Sequence, residues 1–492
     1  MLFYKAYFDE VFLFWDLPED AGEDTRFRIF RDGTLLGETV KTHFRIADPT
    51  PGVTFSVSVR YVGGELSARV TVPEEKRRID ASGAPYFAVG DGKTMNTKAL
   101  QRALDDCDAH SFVYLPRGTY LTGSLFLSSD TELYLDRGAV LQGTENPDDY
   151  LPWIPSRFEG IERMCYAALL NIGTMTRERG ITTHRVTVRG GGTVASGGAA
   201  LCEAVIGREL ARMRASGEIP ESSECEMGLR TVAGRARPRL INISSAEDVT
   251  LSDLSIERGA GWNVHILYSE NVLTRACRFA SEGVFNGDGW DPDSSENCTL
   301  YDSDFHTGDD SVAVKSGKNP EGNRIARPCR GIRVFDCRSH GGHGITVGSE
   351  MSGGVEDVRI WDCDLENSLY GVEIKGTKKR GGYVRGVCVR RSVLPRVLMH
   401  AVTYNDDGEG APEPPVFSDC TFSDLTLTGI ARPLNGEARP CPAIELSGFD
   451  AGAHAIRGVR FSRIRLRAEE GSVPAIRLEN CYDVTFDGVT RP

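Results

Sequence analysis

The feature that most constrains the fold is an internal repeat in the second half of the chain. Five segments align on short apolar strand starts and share one register: NVLTRACRF, NCTLYDSDF, GIRVFDCRS, DVRIWDCDL and GVCVRRSVL. Their second residues are Val272, Cys298, Ile332, Val358 and Val387. The units recur at the roughly 20–35-residue spacing of one solenoid coil. A unit this short cannot bury its own apolar face, so parallel stacking, with coils about 4.8 Å apart, predicts a parallel β-helix.

A small side chain follows five positions after each of those residues: Cys277, Ser303, Cys337, Cys363 and Ser392. We interpret these residues as one row in the interior of the solenoid, because small thiols and hydroxyls pack well there. Disulfide bonds between coils are a weaker alternative, and a metal site is weaker still, for want of paired ligand spacing. The chain has 13 cysteines, an odd number, and no CxxC pair, which favours reduced thiols.

Residues 1–75 follow a different pattern, in which apolar and polar residues alternate over short stretches with turn signals such as Asp32-Gly33 between them. This pattern predicts a small β-sandwich. The pieces FLFWDLP, FRIFRDGTLLG and PGVTFSVSVRYV resemble a fibronectin type III domain. We therefore expect a fibronectin type III-like domain over residues 1–75, the charged stretch 73–80 as a linker, and a solenoid domain over residues 76–492.

Two segments predict helices. Residues 96–107 place Leu100, Ala103, Leu104 and Cys107 on one face, with Asn96 as the expected cap, and such a helix would cover the open end of the strand stack. Residues 203–235 interrupt the repeat with a predicted helix and lead into basic residues, Arg235, Arg237 and Arg239. We expect this insertion to form a lid or wall beside a groove, and a plain surface excursion is the alternative.

The net charge of −13 argues against nucleic acid and anionic membranes as partners, because both are bound through basic surfaces. The N-terminal segment MLFYKAYFDEVFLFWD has no basic stretch followed by an uninterrupted apolar run, since Asp9 and Glu10 break it. We therefore expect no signal peptide and a cytoplasmic location, or a secreted protein if a signal has been removed. Oligomeric state is not predicted.

Four segments rich in glycine and charge follow one another at coil-like intervals: 285–295, 306–317, 339–349 and 370–376. Asp288 precedes the pair Asp309-Asp310 by close to the length of one coil. His343 follows one coil later, with the loop KNPEGNRIARPC accounting for the longer interval, and Lys375 follows one coil after that. In a solenoid these side chains would form one column on an exterior face.

Such a column suits glycosidic bond cleavage, which needs an acid to protonate the leaving oxygen and a base to activate water. Crowding three carboxylates raises the proton affinity of at least one of them by like-charge repulsion. Turn capping is the structural alternative for the aspartates, and we assign it to Asp291, Asp293, Asp302 and Asp304. Calcium binding by the clustered carboxylates is a second alternative.

In this order, Asn286-Gly287-Asp288, Gly308-Asp309-Asp310, Gly342-His343-Gly344 and Glu373-Ile374-Lys375 resemble the motifs of the polygalacturonases, glycoside hydrolase family 28. The resemblance covers about residues 80 to 490. It implies a right-handed parallel β-helix and an inverting hydrolysis that needs no metal or other cofactor. It also implies that Asp309 is the general acid, that Asp288 and Asp310 hold and activate water, that His343 tunes the acid or contacts the sugar, and that Lys375 binds a uronate carboxylate.

One position departs from the family. Members that cut polygalacturonan usually carry Arg two residues before the motif lysine, where this chain has Glu373. An acidic side chain there would repel a uronate, so another basic residue is expected to replace the Arg, or one subsite accepts a different sugar. The candidate replacements are Lys315, Arg237, Lys378, Lys379 and Arg380, and Asn286 is a further candidate sugar contact.

The resemblance implies a pectin-directed hydrolase whose partner is a galacturonate-containing poly- or oligosaccharide. The segments VKSGKN and KKRGGYV, the N-terminal sandwich and the insertion 203–235 favour a blocked groove, and we therefore expect exo action. Rhamnogalacturonan or a substituted galacturonan is the alternative substrate. Two other functions remain open: a calcium-dependent polysaccharide lyase on the same fold, and a carbohydrate-binding β-helix without catalysis.

Overall fold

The computed structural model describes residues 1–178, 180–219, 237–403, 408–467 and 473–491. The chain divides into two compact units. The first contains Met1–Arg78 and His110–Phe112, and the second contains Ile79–Ala109 and Val113–Pro492. Two strands, Arg77–Asp80 and Ser111–Leu115, are divided between the units, so the segment expected to be a linker contains a strand.

The first unit is a small β-sandwich, as predicted. One antiparallel sheet has three strands: Leu2–Ala6, Glu10–Trp15 and His43–Ala47. The other has four: Phe27–Arg31, Thr34–Thr39, Thr54–Tyr61 and Gly64–Thr71. Leu13 and Trp15 from the first sheet share one buried core with Phe27 and Val57 from the second. Burial alternates along Thr54–Tyr61, since successive side chains point to opposite faces, whereas Glu10–Trp15 is buried throughout. The resemblance to fibronectin type III stays a prediction.

The second unit is a parallel β-helix, which confirms the predicted fold class. Its coils contribute strands to three long parallel sheets. Sheet 1 contains, together with the two divided strands, Glu132–Leu135, Thr183–Arg189, Ala246–Ser252, Leu273–Arg275, Thr299–Tyr301, Cys329–Phe335, Val355–Trp361, Tyr383–Arg390, Val393–Leu394, Val416–Ser418, Thr421–Leu427, Ile456–Leu466 and Cys481–Thr490. Sheet 2 contains Asp91–Met95, Gly118–Thr122, Ala139–Gly143, Thr193–Ala195, Ser255–Glu257, Arg278–Ala280, Asp304–His306 and Arg338–Ser339.

Sheet 3 carries the residues of the predicted column. Its strands are Leu125–Leu127, Leu170–Ile172, Ile241–Ser244, Val264–Leu267, Trp290–Asp293, Val312–Val314, Gly344–Val347, Gly371–Gly376, Arg396–Ala401, Ile444–Ser447 and Ile476–Glu479. Two short antiparallel hairpins lie outside the three sheets: Trp153–Phe158 with Ile161–Tyr166, and Ile430–Ala431 with Arg439–Pro440.

The repeat occupies sheet 1 in register, with Ile332 beside Val358 and Val358 beside Val387. All members of the predicted Cys/Ser row are buried, which confirms it as an interior row: Cys277, Ser303, Cys337, Cys363 and Ser392. Hydroxyls of the row accept backbone hydrogen bonds from the preceding coil, as when the Cys277 N–H donates to Ser303 Oγ over 3.1 Å. The three cysteines of the row are free thiols rather than disulfides.

A turn follows the sheet 1 strand in each of these coils, one residue before the Cys/Ser row. The turn residues all have positive φ: Ala276, Asp302, Asp336, Asp362 and Arg391. Aspartate and asparagine reach the left-handed region more easily than most side chains, which accounts for aspartate at three of the five positions. Asp302 is thus a turn residue, as predicted, whereas Asp304 lies within a strand.

The predicted helix near residue 96 is confirmed as Thr97–Asp105, with Leu100, Ala103 and Leu104 buried. Asn96 stands at the N-cap position, but its side chain makes no capping bond. Its Oδ1 instead accepts from the Val89 N–H, and its Nδ2 donates to the Val89 carbonyl. The Asn96 side chain therefore holds the segment before the helix in place by hydrogen bonds to its backbone.

The predicted helix of the insertion is also confirmed, over Gly198–Ala215, with Ile206, Leu210 and Met213 buried. Residues 220–236, including Arg235, lie outside the described residues, so the predicted lid stays a prediction. Two other short helical segments are Pro147–Tyr150, a 3₁₀ helix, and Glu321–Ile325. Across the described ranges, no helix has both the length and the apolar character needed to cross a membrane.

The aromatic stack along sheet 1 yields a stability prediction. The Phe335 ring is buried between Tyr301 and Trp361, with centroid distances of 4.9 and 4.3 Å. Phe335→Leu removes both stacking contacts, and we expect it to lower the free energy of unfolding by about 1–3 kcal/mol. Urea unfolding measures the loss. The control Phe126→Leu changes an exposed ring and should have little effect, so equal losses in the two variants would contradict the role of the stack.

Candidate active site

The outward face of sheet 3 brings the predicted column together. Trp290, Val312, Ile345 and Val372 lie side by side on adjacent strands and belong to the core. Side chains alternate along a strand, so the residue after each of these points away from the core. Asp291, Thr346 and Glu373 occupy such outward positions. The column therefore depends on strand register, because register places the outward side chains of adjacent coils next to one another.

Asp309, Asp310 and His343 form a cluster at the loops that lead into two of these strands. His343 Nδ1 lies 2.9 Å from Asp309 Oδ1 and 3.3 Å from Asp310 Oδ1. Thr346 Oγ1 donates to Asp310 Oδ1 over 2.7 Å. Gly342 has a φ of 79°, and a Cβ there would come within 2.5 Å of the Asp309 carbonyl oxygen. The glycine before His343 is thus required for the loops to approach each other.

The two carboxylates determine the charge of His343. Burial of the imidazole opposes its protonation, but hydrogen bonds to Asp309 and Asp310 raise the pKa of His343 to about 11. Burial likewise opposes ionisation of Asp310, yet Lys375 and His343 hold the pKa of Asp310 well below its ordinary value. The cluster therefore holds an imidazolium beside an ionised Asp310 at neutral pH.

Asp288 lies beside Lys315, whose Nζ is 3.2 Å from Asp288 Oδ2 and 3.3 Å from Glu350 Oε2. The same ammonium stands 4.3 Å from the centre of the Trp262 ring. Burial raises the pKa of Asp288 to about 7; Lys315 opposes the shift, and repulsion from Asp309 and Asp310 adds to it. Asp288 therefore favours its protonated form near neutral pH, mainly because it is buried, and the predicted crowding of carboxylates is the smaller cause.

Asp291 and Asp293 do not cap turns, which corrects the sequence-based interpretation. Both are fully buried in the strand Trp290–Asp293. Burial and the neighbouring Asp288 raise the pKa of Asp291 well above its ordinary value, while Lys315 Nζ lies 3.8 Å away. Burial also opposes ionisation of Asp293, but Arg157 at 2.6 Å and His265 at 3.3 Å hold the pKa of Asp293 at about 2.

The carboxylate of Glu373 is buried and contacts Lys375 and His400, so it is not exposed to a ligand. Its Oε2 lies 2.9 Å from Lys375 Nζ, and its Oε1 lies 2.7 Å from His400 Nε2. Although burial opposes ionisation, Lys375 and His400 hold the pKa of Glu373 below its ordinary value. Lys375 Nζ also approaches Asp310 Oδ2 at 3.8 Å. The expected repulsion between Glu373 and a uronate is therefore offset by the ammonium of Lys375 and by the hydrogen bond to His400.

Arg237 is fully buried, so the structure does not bring it among the accessible groups of the site. Its guanidinium donates to Asn286 Oδ1 over 2.6 Å and to the Ala260 carbonyl over 2.9 Å. Asn286 has a φ of 50°, in the left-handed region. The hydrogen bond from Arg237 therefore holds a loop residue of unusual backbone conformation two positions before Asp288. Among the other candidate bases, Arg380 is also buried and donates to Asn319 Oδ1 over 2.6 Å.

Four residues that contact the predicted site residues were not predicted from the sequence: Trp262, Thr346, Glu350 and His400. Thr346 and Glu350 lie just after the Gly342-His343-Gly344 motif, so the outward alternation of that strand could have indicated Thr346. Trp262 and His400 stand far from any motif. His400 is paired with Lys375 by strand register, which only the three-dimensional structure reveals.

Side-chain donors of Asp309, Asp310 and His343 lie within 4.8 Å of one another and are the groups here that could hold a cation. Calcium prefers oxygen ligands, so an imidazole among the three donors does not favour calcium at this cluster.

The raised pKa of Asp288 predicts a pH dependence of stability. The folded protein keeps this proton to about pH 7, whereas the ordinary carboxyl value is 3.8. The folded state binds more protons in that window, so stability falls as pH rises from 3.8 to about 7. Asp288→Asn removes this fall in stability. Urea unfolding across the window should show that the free energy of unfolding of the variant rises, relative to that of wild type, as pH increases.

The matched control is Asp357→Asn, which changes an exposed carboxylate on sheet 1. Its stability difference from wild type should not grow with pH across the same window. Parallel pH profiles for wild type and Asp288→Asn would contradict the protonated state of Asp288.

Comparisons with known proteins agree with this geometry. The sequence model described as "Glycosyl hydrolases family 28" matches residues 214–432. The chain is 32% identical over 382 residues to a probable polygalacturonase of Vitis vinifera, covering 74% of this chain and 72% of that protein. It is 25% identical over 495 residues to an exo-poly-alpha-D-galacturonosidase of Dickeya chrysanthemi, covering 89% of this chain and 81% of the relative.

Solved structures share the fold. The Family 28 exopolygalacturonase of Yersinia enterocolitica superposes with a TM-score of 0.81 at 22% identity, over 99% of this chain and 98% of its own. A hyperthermoactive exopolygalacturonase of Thermotoga maritima gives 0.67 at 24% identity, over 84% and 91%. These likenesses identify the solenoid as a right-handed parallel β-helix. Because the family model and the Vitis vinifera relative match this sequence, and the four motifs follow one another along sheet 3, the chain belongs to glycosyl hydrolases family 28.

Proposed function

We propose that this glycosyl hydrolase is an exo-acting polygalacturonase that releases galacturonate from the ends of pectic poly- or oligosaccharides. The observation that carries the proposal is the column of Asp288, Asp309 and Asp310 on one face of sheet 3, with Lys375 beside it. The probable polygalacturonase of Vitis vinifera and the exo-poly-alpha-D-galacturonosidase of Dickeya chrysanthemi support the substrate class.

In the proposed reaction Asp309 gives a proton to the glycosidic oxygen as its bond to the anomeric carbon breaks. A water molecule held by Asp288 and Asp310 attacks that carbon from the opposite face and gives its proton to Asp310, the ionised member of the pair. His343 shares a proton with Asp309 through the 2.9 Å contact and positions the acid. The product is galacturonate with inverted anomeric configuration, which nuclear magnetic resonance of the first turnovers would detect.

Exo action is supported by the hairpin Trp153–Phe158 and Ile161–Tyr166, which lies against the outward face of sheet 3. On its first strand, Ser156 Oγ donates to Asn242 Oδ1 over 3.3 Å, and Arg157 pairs with Asp293. At its tip, the Lys318 N–H donates to the Gly160 carbonyl over 2.9 Å. The hairpin therefore contacts several coils, from that of Asn242 to that of Lys318, which also carries Asp309 and Asp310.

Such a wall leaves the opposite side of the column, over Lys375 and the later coils, for the rest of the polymer. A groove covered at one side accepts a chain end and disfavours internal bonds. This arrangement is why we propose exo rather than endo action. The hairpin contributes a wall of the kind expected of residues 203–235.

The first test is product analysis on polygalacturonate and rhamnogalacturonan, with and without chelator. We expect saturated galacturonate monomer from polygalacturonate from the start, with little loss of viscosity and no effect of the chelator. Cleavage of rhamnogalacturonan alone would assign the other substrate. Absorbance at 235 nm that rises and is lost on chelation would replace the hydrolase with a calcium-dependent lyase.

The second test removes the proposed acid. Asp309→Asn keeps the size of the side chain but cannot supply the proton, so we expect kcat to fall by about 10²–10⁴-fold. Asp304→Asn, a partly exposed aspartate on sheet 2, is the control and should retain activity within about twofold, since exposed groups away from the site contribute little. Full activity of Asp309→Asn, with an unchanged unfolding midpoint, would contradict the assignment.

A further inference from the structure

Lys315 is a buried cation beside the catalytic column. It follows the strand Val312–Val314, whose last residue belongs to the core, so the Lys315 side chain lies on the outward face of sheet 3. Its backbone is fixed to the preceding coil: the Lys315 N–H donates to the Pro292 carbonyl over 2.8 Å, and the Ser294 N–H donates to the Lys315 carbonyl over 2.9 Å. Strand register therefore defines the position of this side chain.

Carboxylates from two coils surround the ammonium. Lys315 Nζ donates to Asp288 Oδ2 over 3.2 Å and to Glu350 Oε2 over 3.3 Å. Asp291 Oδ2 lies 3.8 Å from the same nitrogen, and the Trp262 ring covers it. Burial opposes the charge of Lys315, but the three carboxylates raise the pKa of Lys315 well above its ordinary value. The group is therefore an ammonium at neutral pH.

Asp288 has several charged neighbours. Burial raises the pKa of Asp288 to about 7, and repulsion from Asp309 and Asp310 adds to the shift. Asp291 stands in the same coil, and the charge of Asp288 is one cause of its own raised pKa. Among these neighbours, Lys315 is the one that favours the ionised form of Asp288.

The hydrogen bond from Lys315 gives the two oxygens of Asp288 different roles. Oδ2 accepts from the ammonium, whereas Oδ1 is buried and accepts no hydrogen bond from the described part of the chain. In the proposed reaction Asp288 helps to hold the attacking water. Oδ1 is the oxygen of this carboxyl group that is left for that task.

Resting on the proposed function, we infer that Lys315 is a positioning residue for the attacking water: its ammonium binds Asp288 Oδ2 and leaves Oδ1 to hold the water, while Glu350 holds the ammonium from the following coil. Lys315 does not bind the sugar itself. Its side chain is 5% exposed, and two of its three ammonium hydrogens are donated to carboxylates.

The first test is Lys315→Met, which keeps the length of the side chain but carries no charge and donates no hydrogen bond. kcat and KM are measured on trigalacturonate. We expect kcat to fall about 10²-fold, because a misplaced reacting group costs that much. KM should change little, since the change affects the water rather than sugar binding. A raised KM at unchanged kcat would overturn the inference and assign Lys315 to a sugar carboxylate.

The second test is the pH profile of kcat/KM, in which two variants should differ in sign. Lys315→Met should move the inflection of Asp288, near pH 7, upwards by about 1–3 pH units, because an adjacent cation favours the ionised carboxyl group. Glu350→Gln should move it downwards, since Asp288 then holds the ammonium without a competing carboxylate. A purely structural role would lower activity without these opposite shifts. Unshifted profiles, or shifts of one sign, would contradict the inference.

The matched controls are Lys98→Met, at an exposed lysine on the helix Thr97–Asp105, and Glu356→Gln, at a glutamate that pairs with Arg385 on sheet 1. Both should leave kcat and the inflection unchanged. Urea unfolding checks that each variant is folded. Glu350 is 14% exposed, so Glu350→Gln tests the inference even if Lys315→Met does not fold.

The outcomes separate this inference from the proposed function. A wild-type enzyme that hydrolyses trigalacturonate, with no opposite shifts in the variants, would overturn the role of Lys315 alone. A wild-type protein that does not hydrolyse galacturonides would overturn both.

Discussion

In-register stacking of parallel strands is the constraint on which the rest of this structure depends. Neighbouring strands lie about 4.8 Å apart, so an outward side chain on one coil stands within contact distance of its counterpart on the next. Asp288, Asp310 and Lys375 come from segments that are distant in the sequence, yet register joins them in one column. The same register that buries Val312, Ile345 and Val372 in the core therefore assembles the catalytic face.

Stacking acidic residues in this way has an electrostatic cost, and the structure offsets it in two ways. Some carboxylates are paired with buried cations, as Asp293 is with Arg157. Others hold a proton, as the raised pKa of Asp288 indicates. Breaking a buried pair by removing one partner leaves an uncompensated charge, which is strongly destabilising. Lys315 and Lys375 therefore contribute to folding as well as to the chemistry of the site.

The two sides of the column differ, and the difference gives the proposed enzyme its direction. The hairpin with Arg157 and Gly160 covers the coils on one side. On the other side Lys375 pairs with Glu373, and Glu373 contacts the partly exposed His400. In the proposed function, a polymer that enters from the open side would meet the hairpin at its end, and this arrangement suits the release of terminal sugars.

The sequence by itself determined the class of fold and most of the cluster, because both depend on periodicity. The repeat that begins at Val272 and the intervals between Asp288, Asp309 and His343 follow from the length of one coil. Tertiary structure alone decided what each charge contacts. The sequence could not show that Arg237 is buried against Asn286, that Asp291 lies inside a strand, or that Glu373 is held by His400. Partners of that kind lie on other coils, and their pairing is set by strand register and loop length rather than by any local pattern.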